Sequence, residues 1–434
     1  MEKARRKGLD AEVFLLYDKE LSIEVVDGQV ETLKEAEETG MGIRVINQGR
    51  LGFAYTTNLE ESVLQEMLDR AVGSSRYTTV DENNMLPEGA FTYPPMETYD
   101  PAIRQATLEE KTAMAREVET VARAYDKRIS VIERSGYEDS EYLLVIINTQ
   151  GVEAVEKGAF CGLYAYLVAE EDGDAQTGFS LMARKHFGEL NPREVGCEAA
   201  RNAVRMLKGR TIPSQSIPCV LEPYVVTNFL GILSNSVNAD SVQKGKSLFA
   251  GKVGEQVAAS ELVLVDDGVY EKGIASFPFD GEGVPAQRTV LMENGILKGF
   301  LYDSYTARKD GTTSTGNGVR SSFRSLPGVG TTNFFFSPGP TRPADLVRDI
   351  SRGLYITEVM GMHTANPISG DFSVGAAGIM IEYGELTRPV RGITIAGNLK
   401  DFLLNIEGIG NDLRFFGGTG APTLRLKALS IAGE

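Results

Sequence analysis

Apolar and polar residues alternate along the first part of the chain, and a few turn signals interrupt them. From Glu12 to Thr57 the apolar residues alternate or run in short blocks, broken at Asp27-Gly28, at Gly40 and Gly42, and at Asn47-Gln48-Gly49. These breaks predict four or five antiparallel strands joined by hairpins. The period then changes. In NLEESVLQEMLDRAV, residues Val63, Leu64, Met67, Leu68 and Ala71 recur at helical spacing behind Asn58 as the cap, with Glu61 at the third helical position. One amphipathic helix lying on the sheet is expected.

Between residues 81 and 101 stand Pro87, Pro94, Pro95 and Pro101, which predict a linker or an ordered crossing segment. Thr107 to Asp126 reads as a charged helix. The earlier pattern then returns, with strands over Arg128 to Gly136, Glu141 to Asn148, Gly151 to Glu170 and Gln176 to His186. Asn191 caps the helix that follows, and Pro192 takes its first position, where a missing N–H costs nothing. Strands followed by a helix thus occur twice, over residues 12–74 and 128–209, which points to an internal structural duplication.

RTIPSQSIP marks a boundary, and beyond it glycine-rich loops such as FDGEGVP, TSTGNG and FFGGTGAP separate apolar hairpins. In the clearest hairpin, Asn294-Gly295 turns Arg288 to Glu293 into Ile296 to Tyr302. The expected fold class is α+β. An N-terminal region of repeated antiparallel strands and helices spans 1–210, built from units at 10–80 and 105–210. A glycine-rich, mostly antiparallel β domain spans 211–434.

Composition narrows the functional classes. A chain of 434 residues with 42% hydrophobic side chains is too long for one core. Its 44 Lys and Arg against 60 Asp and Glu leave a net charge of -16, which repels polyphosphate and disfavours direct nucleic-acid binding. No run approaches the roughly 18 apolar residues of a membrane helix. MEKARRKGLD opens the chain without an apolar segment, so a soluble cytoplasmic protein with no membrane partner is expected. Cys161, Cys197 and Cys219 lie in apolar contexts without C-x-x-C spacing and read as buried free thiols.

Candidate chemistry is sparse. His186 and His363 are the only histidines, and neither has a carboxylate at metalloprotease spacing. The Asp240–Ser247 segment fails as a phosphate loop because Asp240 replaces the first glycine. Asp266-Asp267, Asp280 with Glu282, and Asp371 all neighbour glycines, and turn chemistry outweighs cation binding there. There is no G-x-S-x-G elbow and no cysteine with a local histidine partner. His363 stands between a β-like run and the Asn366-Pro367 turn, where bonding a loop carbonyl competes with a ligand role. In GDFSVGAAG, alternation places Phe372, Val374 and Ala376 on one side and Ser373, Gly375 and Ala377 on the other. A face that bare admits another backbone, either a neighbouring strand or an extended peptide. Gly370, Asp371, Phe372, Gly375, Gly378 and His363 are therefore the peptide-cleft candidates, and Gly375→Val is expected to overpack the strand.

From about Asp280 onward, four ordered blocks resemble the TldD/PmbA family, once called modulators of DNA gyrase: FDGEGVPAQRTVLMENGILKGFLYDSYTARKDGTTSTGN, ISGDFSVGAAGIMIEYGE, IAGNLKDFLLNIEGIGND and GAPTLRLKALSIAGE. The resemblance implies two kinds of subunit. TldD-type chains carry a His-Glu-x-x-x-His helix and a cysteine in the C-terminal half and hold a catalytic metal; PmbA-type chains, also called TldE, share the fold without these ligands. Here the corresponding helix begins near Glu222 as EPYVVTNFLGILSNSV, without histidine, and Cys219, the only cysteine of the second half, precedes it. Where two histidines one turn apart would share a face stand Val225, Val226, Phe229 and Leu233, residues of a core or an interface. The chain thus resembles the PmbA type. That implies a subunit with no metal and no other cofactor, with no catalytic residues of its own, that forms a dimer with a TldD-type partner and serves proteolysis of unfolded peptides or peptide precursors. A homodimeric peptide- or ligand-binding protein, and a hydrolase with an unfamiliar acidic metal site, are the alternatives. The apolar stretch 222–238 is expected to leave a face for a dimer interface.

Overall fold

The computed structural model describes residues 1–434. The first alternating stretch forms three strands rather than four or five: β1 (Asp10–Val26), β2 (Gln29–Asn47) and β3 (Arg50–Thr56). Asp27-Gly28 and Gln48-Gly49 do turn, each with positive φ. Gly40 and Gly42 instead lie inside β2, and the cause is tertiary. A Cβ on Gly40 would run into the Phe323 ring, and one on Gly42 into the Phe323 carbonyl.

The second stretch is β4 (Ile129–Asn148), β5 (Glu153–Glu171) and β6 (Asp174–Arg184). The polar residues that read as a break between two strands lie inside β4 because their side chains are bonded. Ser140 Oγ donates to Asp18 (2.9 Å), while Asp139 accepts from Tyr137 (2.9 Å) and Lys111 (2.5 Å). All six strands pair antiparallel in the order β3-β2-β1-β4-β5-β6. Helices cover one face: after the short α1 (Glu2–Arg6) come α2 (Glu61–Ser75), α3 (Pro101–Gln105), α4 (Leu108–Tyr125) and α5 (Pro192–Val204). A capping box of Thr107 and Glu110 opens α4, and Asn191 with Pro192 opens α5. Helix α2 starts later than its sequence predicts. Glu60 is its N-cap, and Asn58 accepts the Glu60 N–H to close the preceding turn.

Alternation along β1 assigns its two faces. Ala11, Val13 and Leu15 pack under α2, and Leu21, Ile23 and Val25 join the core of α4 and α5. Phe14 and Leu16 face the other way, against Phe279 and Phe323 of the C-terminal half. The proline-rich stretch 81–101 is an ordered crossing segment, in which Tyr93 donates to the Gly283 carbonyl at 2.9 Å.

In the C-terminal half, β7 (Gln215–Leu221), α6 (Pro223–Ser234) and α7 (Ala239–Gln243) precede β8 (Leu264–Asp267), β9 (Arg288–Glu293), β10 (Ile296–Leu297) and α8 (Ser304–Lys309). Then follow β11 (Gly318–Val319), β12 (Gly328–Val329), β13 (Phe334–Phe336), β14 (Arg352–Met360), β15 (Asp371–Glu382) and β16 (Glu385–Asn398). The chain ends with α9 (Leu399–Leu404), β17 (Ile406–Ile409), β18 (Arg414–Phe416), β19 (Thr419–Ala421) and β20 (Leu424–Ala432). One sheet runs β10-β9-β8-β13-β19-β18. In the other, β16-β15-β14-β7-β20, the β16–β20 pairing closes a five-stranded ring. Asn294-Gly295 makes the expected turn with φ of 53° and 71°. Strand β10 stops at Leu297 instead of reaching Tyr302, because the Leu301 and Tyr302 N–H groups go to Val237 and Thr315.

Helix α6 does not offer its apolar face to a partner. Val225, Val226, Phe229, Leu230 and Leu233 are buried in the C-terminal core of the same chain, where Phe229 stacks on Phe402 at 4.6 Å and meets Phe372 edge-on at 5.1 Å. No helix is long and apolar enough to cross a membrane.

Candidate functional site

The first turn of α6 opens into a cleft of ≈ 230 Å³ where the edge strand β6 of the first sheet approaches the edge strand β18 of the second. Paired charges build its rim. Arg205 grips Glu222 through both nitrogens, Nη1–Oε1 at 2.6 Å and Nη2–Oε2 at 2.8 Å. Burial works against the Arg205 charge, but the Glu222 bonds more than compensate and raise its pKa. Across the cleft Arg414 grips Glu198, with Nη2–Oε2 at 2.5 Å, and Ser180 Oγ donates to the same carboxylate at 2.6 Å. Burial would raise the Glu198 pKa, yet those two bonds hold it below the usual carboxylate range. Asp412 accepts from the Thr423 N–H (3.0 Å) and hydroxyl (2.6 Å).

Aromatic rings form one wall. Phe179, Tyr224 and Phe416 line the cleft at successive centroid separations of 6.2 and 5.0 Å, and Tyr166 packs behind Phe179 at 4.5 Å, with Arg134 over Tyr166 and Arg414 over Phe416. Such a wall suits apolar or planar groups of a ligand. It supplies no nucleophile.

A metal does not fit here. No group of three or more His, Cys, Asp or Glu side chains is placed to hold one. The carboxylates at the cleft are held by arginines or by Thr423, and the α6 face is hydrocarbon. Cys219 is buried, and burial pushes its thiol up to about 12, so it offers no thiolate.

The sequence-named candidates lie elsewhere, and none of the six lines this cleft. Phe372 points into the core beside Val374 and Ala376. Strand β15, which carries Gly375 and Gly378, is hydrogen-bonded to β14 on one edge and β16 on the other, so neither edge is open to a peptide ladder. His363 is exposed on the short turn Met362–Thr364. That turn belongs to a loop that folds back on β15: the Asn366 N–H bonds the Asp371 carbonyl, and buried Gly370 has φ of 83°. The Asp371 carboxylate accepts from Asn398 (2.8 Å) and Ser369 (2.7 Å), which lowers its pKa.

Among the acidic clusters, turn chemistry accounts for part. Asp280 accepts the N–H groups of Glu282, Val284 and Gly318, while burial and the Glu282 carboxylate raise its pKa. Asp267 accepts the Val269 N–H, as a turn residue does. Glu282 departs from that reading. With Glu12, Arg44 and Arg320 it forms a buried ion network between the first sheet and the C-terminal half: Arg44 donates to Glu12 at 2.7 Å and to Glu282 at 3.0 Å, and Arg320 pairs with Glu12. Nothing in the spacing of these residues along the chain marks them as partners.

Three descriptions of PmbA/TldA metallopeptidase regions match the chain in order: domain 1 over residues 11–75, the central domain over 101–207 and the C-terminal domain over 214–433. The chain belongs to the PmbA/TldD family. It is 29% identical to the metalloprotease PmbA of Escherichia coli O157:H7 over 100% of this chain and 94% of that one. It is 28% identical to the metalloprotease TldD homologue of Haemophilus influenzae over 91% of this chain and 87% of that one. The crystal structure of TM0727 from Thermotoga maritima, named as a proposed modulator of a DNA gyrase, matches with a TM-score of 0.93 and 31% identity, over 99% of this chain and 98% of that one. Overall identity to PmbA and TldD relatives is nearly equal, so the type of subunit must be read from the side chains at α6.

Proposed function

We propose that this chain is the noncatalytic, PmbA-type subunit of a TldD-type metallopeptidase that acts in the cytoplasm on unfolded peptides or peptide precursors. The observation that carries this reading is the α6 site: Val225, Val226 and Phe229 are core residues, and the carboxylates at the mouth, Glu222 and Glu198, are each held by an arginine. A TldD-type partner supplies the metal and the hydrolysis. This chain contributes a wall, and the edges of β6 and β18 with their aromatic ladder suit an extended backbone that needs little side-chain readout.

The test is co-expression with a TldD-type chain, followed by peptidase assays on the pair and on each chain alone. Activity should require the partner. A chelator-sensitive peptidase activity of this chain alone, with about one metal per chain, would overturn the proposal. The residues that line the cleft all come from this chain, which supports as a second reading a protein that binds peptides without cleaving them. Peptide binding by the purified chain, with no gain of hydrolysis on adding the partner, would select it.

A further inference from the structure

The face of the first sheet opposite its helices holds a second opening, of ≈ 350 Å³, between that sheet and loops of the C-terminal half. Its walls include Phe14, Leu16, Leu144 and Phe160 from the sheet and Phe277 and Phe279 from the loops. Folded interiors leave few voids larger than a water molecule, so an opening of this size walled by aromatic rings is a place for a ligand group.

The adjoining surface carries more negative than positive charge. Phe160 also lines the next hollow along the sheet, which contains Glu20 and Glu138 against one exposed lysine, Lys34. Glu20 pairs across the ladder with Ser140, and Glu138 with Ser22, so the two carboxylates are diagonal neighbours on one face. Apart from Lys34, nearby cations are engaged elsewhere, Lys19 with Glu35 at 2.7 Å and Arg134 with Glu24 at 3.6 Å, so one lysine faces two carboxylates. Burial, and then the Glu20 carboxylate, push the Glu138 pKa upward, a repulsion that an added cation would relieve.

We propose that this seam is a subsite for an extended peptide that places a bulky apolar side chain in the cavity and a lysine or arginine against Glu20 and Glu138. The inference rests on the reading that the chain handles peptides and adds a side-chain preference to it. Residues two apart in an extended peptide face the same way, which sets the motif as apolar-x-basic.

The chain contains no tryptophan, so Phe277→Trp gives a single fluorescent reporter in the cavity wall. Short glycine-serine peptides carrying Phe-Ser-Lys, Phe-Ser-Glu or Ser-Ser-Lys are titrated against it. Phe-Ser-Lys should shift the emission saturably, and the other two should bind roughly tenfold more weakly or worse. Glu20→Gln with Glu138→Gln should erase the preference for lysine over glutamate while the phenylalanine requirement stays. Ala275→Phe, which fills the cavity from its wall, should abolish binding with the fold checked by thermal melting. If that variant does not fold, the charge variant decides alone. Equal binding of the Phe-Ser-Lys and Phe-Ser-Glu peptides, or no saturable response, would overturn the subsite. In the co-expressed pair, cleavage that ignores both the motif and Ala275→Phe sinks the subsite alone; an intact pair without peptidase activity sinks the functional proposal and leaves the titration to decide the subsite.

Discussion

Gly375 and Gly378 lie three residues apart in β15 and meet different surroundings. A Cβ on Gly375 would sit 3.5 Å from Met360, an ordinary contact, whereas one on Gly378 would run into the Tyr355 carbonyl at the bulge between β14 and β15. Gly378→Ala should therefore cost about 1 to 3 kcal/mol, as overpacking does, and Gly375→Ala should stay within about 0.5 kcal/mol of the parent in urea denaturation. The reverse order would show that the strand packs differently. The bareness of this strand is visible in its alternation, but which glycine is closely approached depends on a bulge that alternation does not encode. Asp266 gives a test in pH. It accepts from Asn317 Nδ2 and from the N–H and hydroxyl of Thr332, yet burial raises its pKa to about 6, above the roughly 3.9 of an unfolded chain. The native state thus keeps a proton that the unfolded chain releases. Its contribution to stability is full below about pH 4 and is lost as pH rises through about 6. Urea midpoints of the parent, measured against Asp266→Asn, should fall over that interval; a difference that is flat or rises with pH would refute the assignment.

Helix α6 shows how the same pattern of residues supports two readings at the level of an element. Its apolar run predicts a buried face, and the face is buried, but in the core of its own chain rather than against a partner. Hydrophobicity alone does not say which chain covers it. The thiols offer a check on this packing. Cys161 and Cys219 are buried, with burial raising both thiols to about 12, while Cys197 is only partly covered. In the native chain a thiol reagent should modify Cys197 first, and the other two should react only after unfolding. Rapid modification of Cys219 would mean that the core over α6 opens. Elements with local signals were legible from sequence: the helix starting at Thr107, Asn191-Pro192, and the Asn294-Gly295 turn all act within a few residues. Gly40 and Gly42 read as breaks in the sequence because the residue that requires them, Phe323, comes from the C-terminal half. The cleft was legible only in part for the same reason. Family resemblance places Glu222 at the start of the helix, but Arg205, Glu198 and Arg414 meet only because β6 docks beside β18, and no spacing encodes that contact.

For the whole molecule, the central question is what makes two differently built halves behave as one. Exposed pairs cross the seam, such as Arg324 with Glu38, with side chains 41% and 50% exposed, and solvent screening leaves such a pair worth little. The buried network is different in kind. Arg44, 7% exposed, is shared between Glu12 of β1 and Glu282 of the C-terminal half, so removing it leaves two buried carboxylates short of a partner. Replacing one member of a buried pair costs about 3 to 5 kcal/mol, chiefly through the stranded charge. Arg44→Met should carry that cost, while Arg324→Ala should barely move the melting temperature. Since Glu282 also accepts the N–H of Ser304 at the start of α8, its displacement would loosen the C-terminal loops as well. Calorimetry should then show one endotherm for the parent and a split or broadened one for Arg44→Met, in which the β1–β6 sheet melts apart from the ring. The apolar contacts of Phe14 and Ile146 with Phe279 and Phe323 remain in that variant. If they alone suffice to couple the halves, the variant will melt in a single sharp transition, and the ion network will have to be read as a determinant of stability rather than of cooperativity.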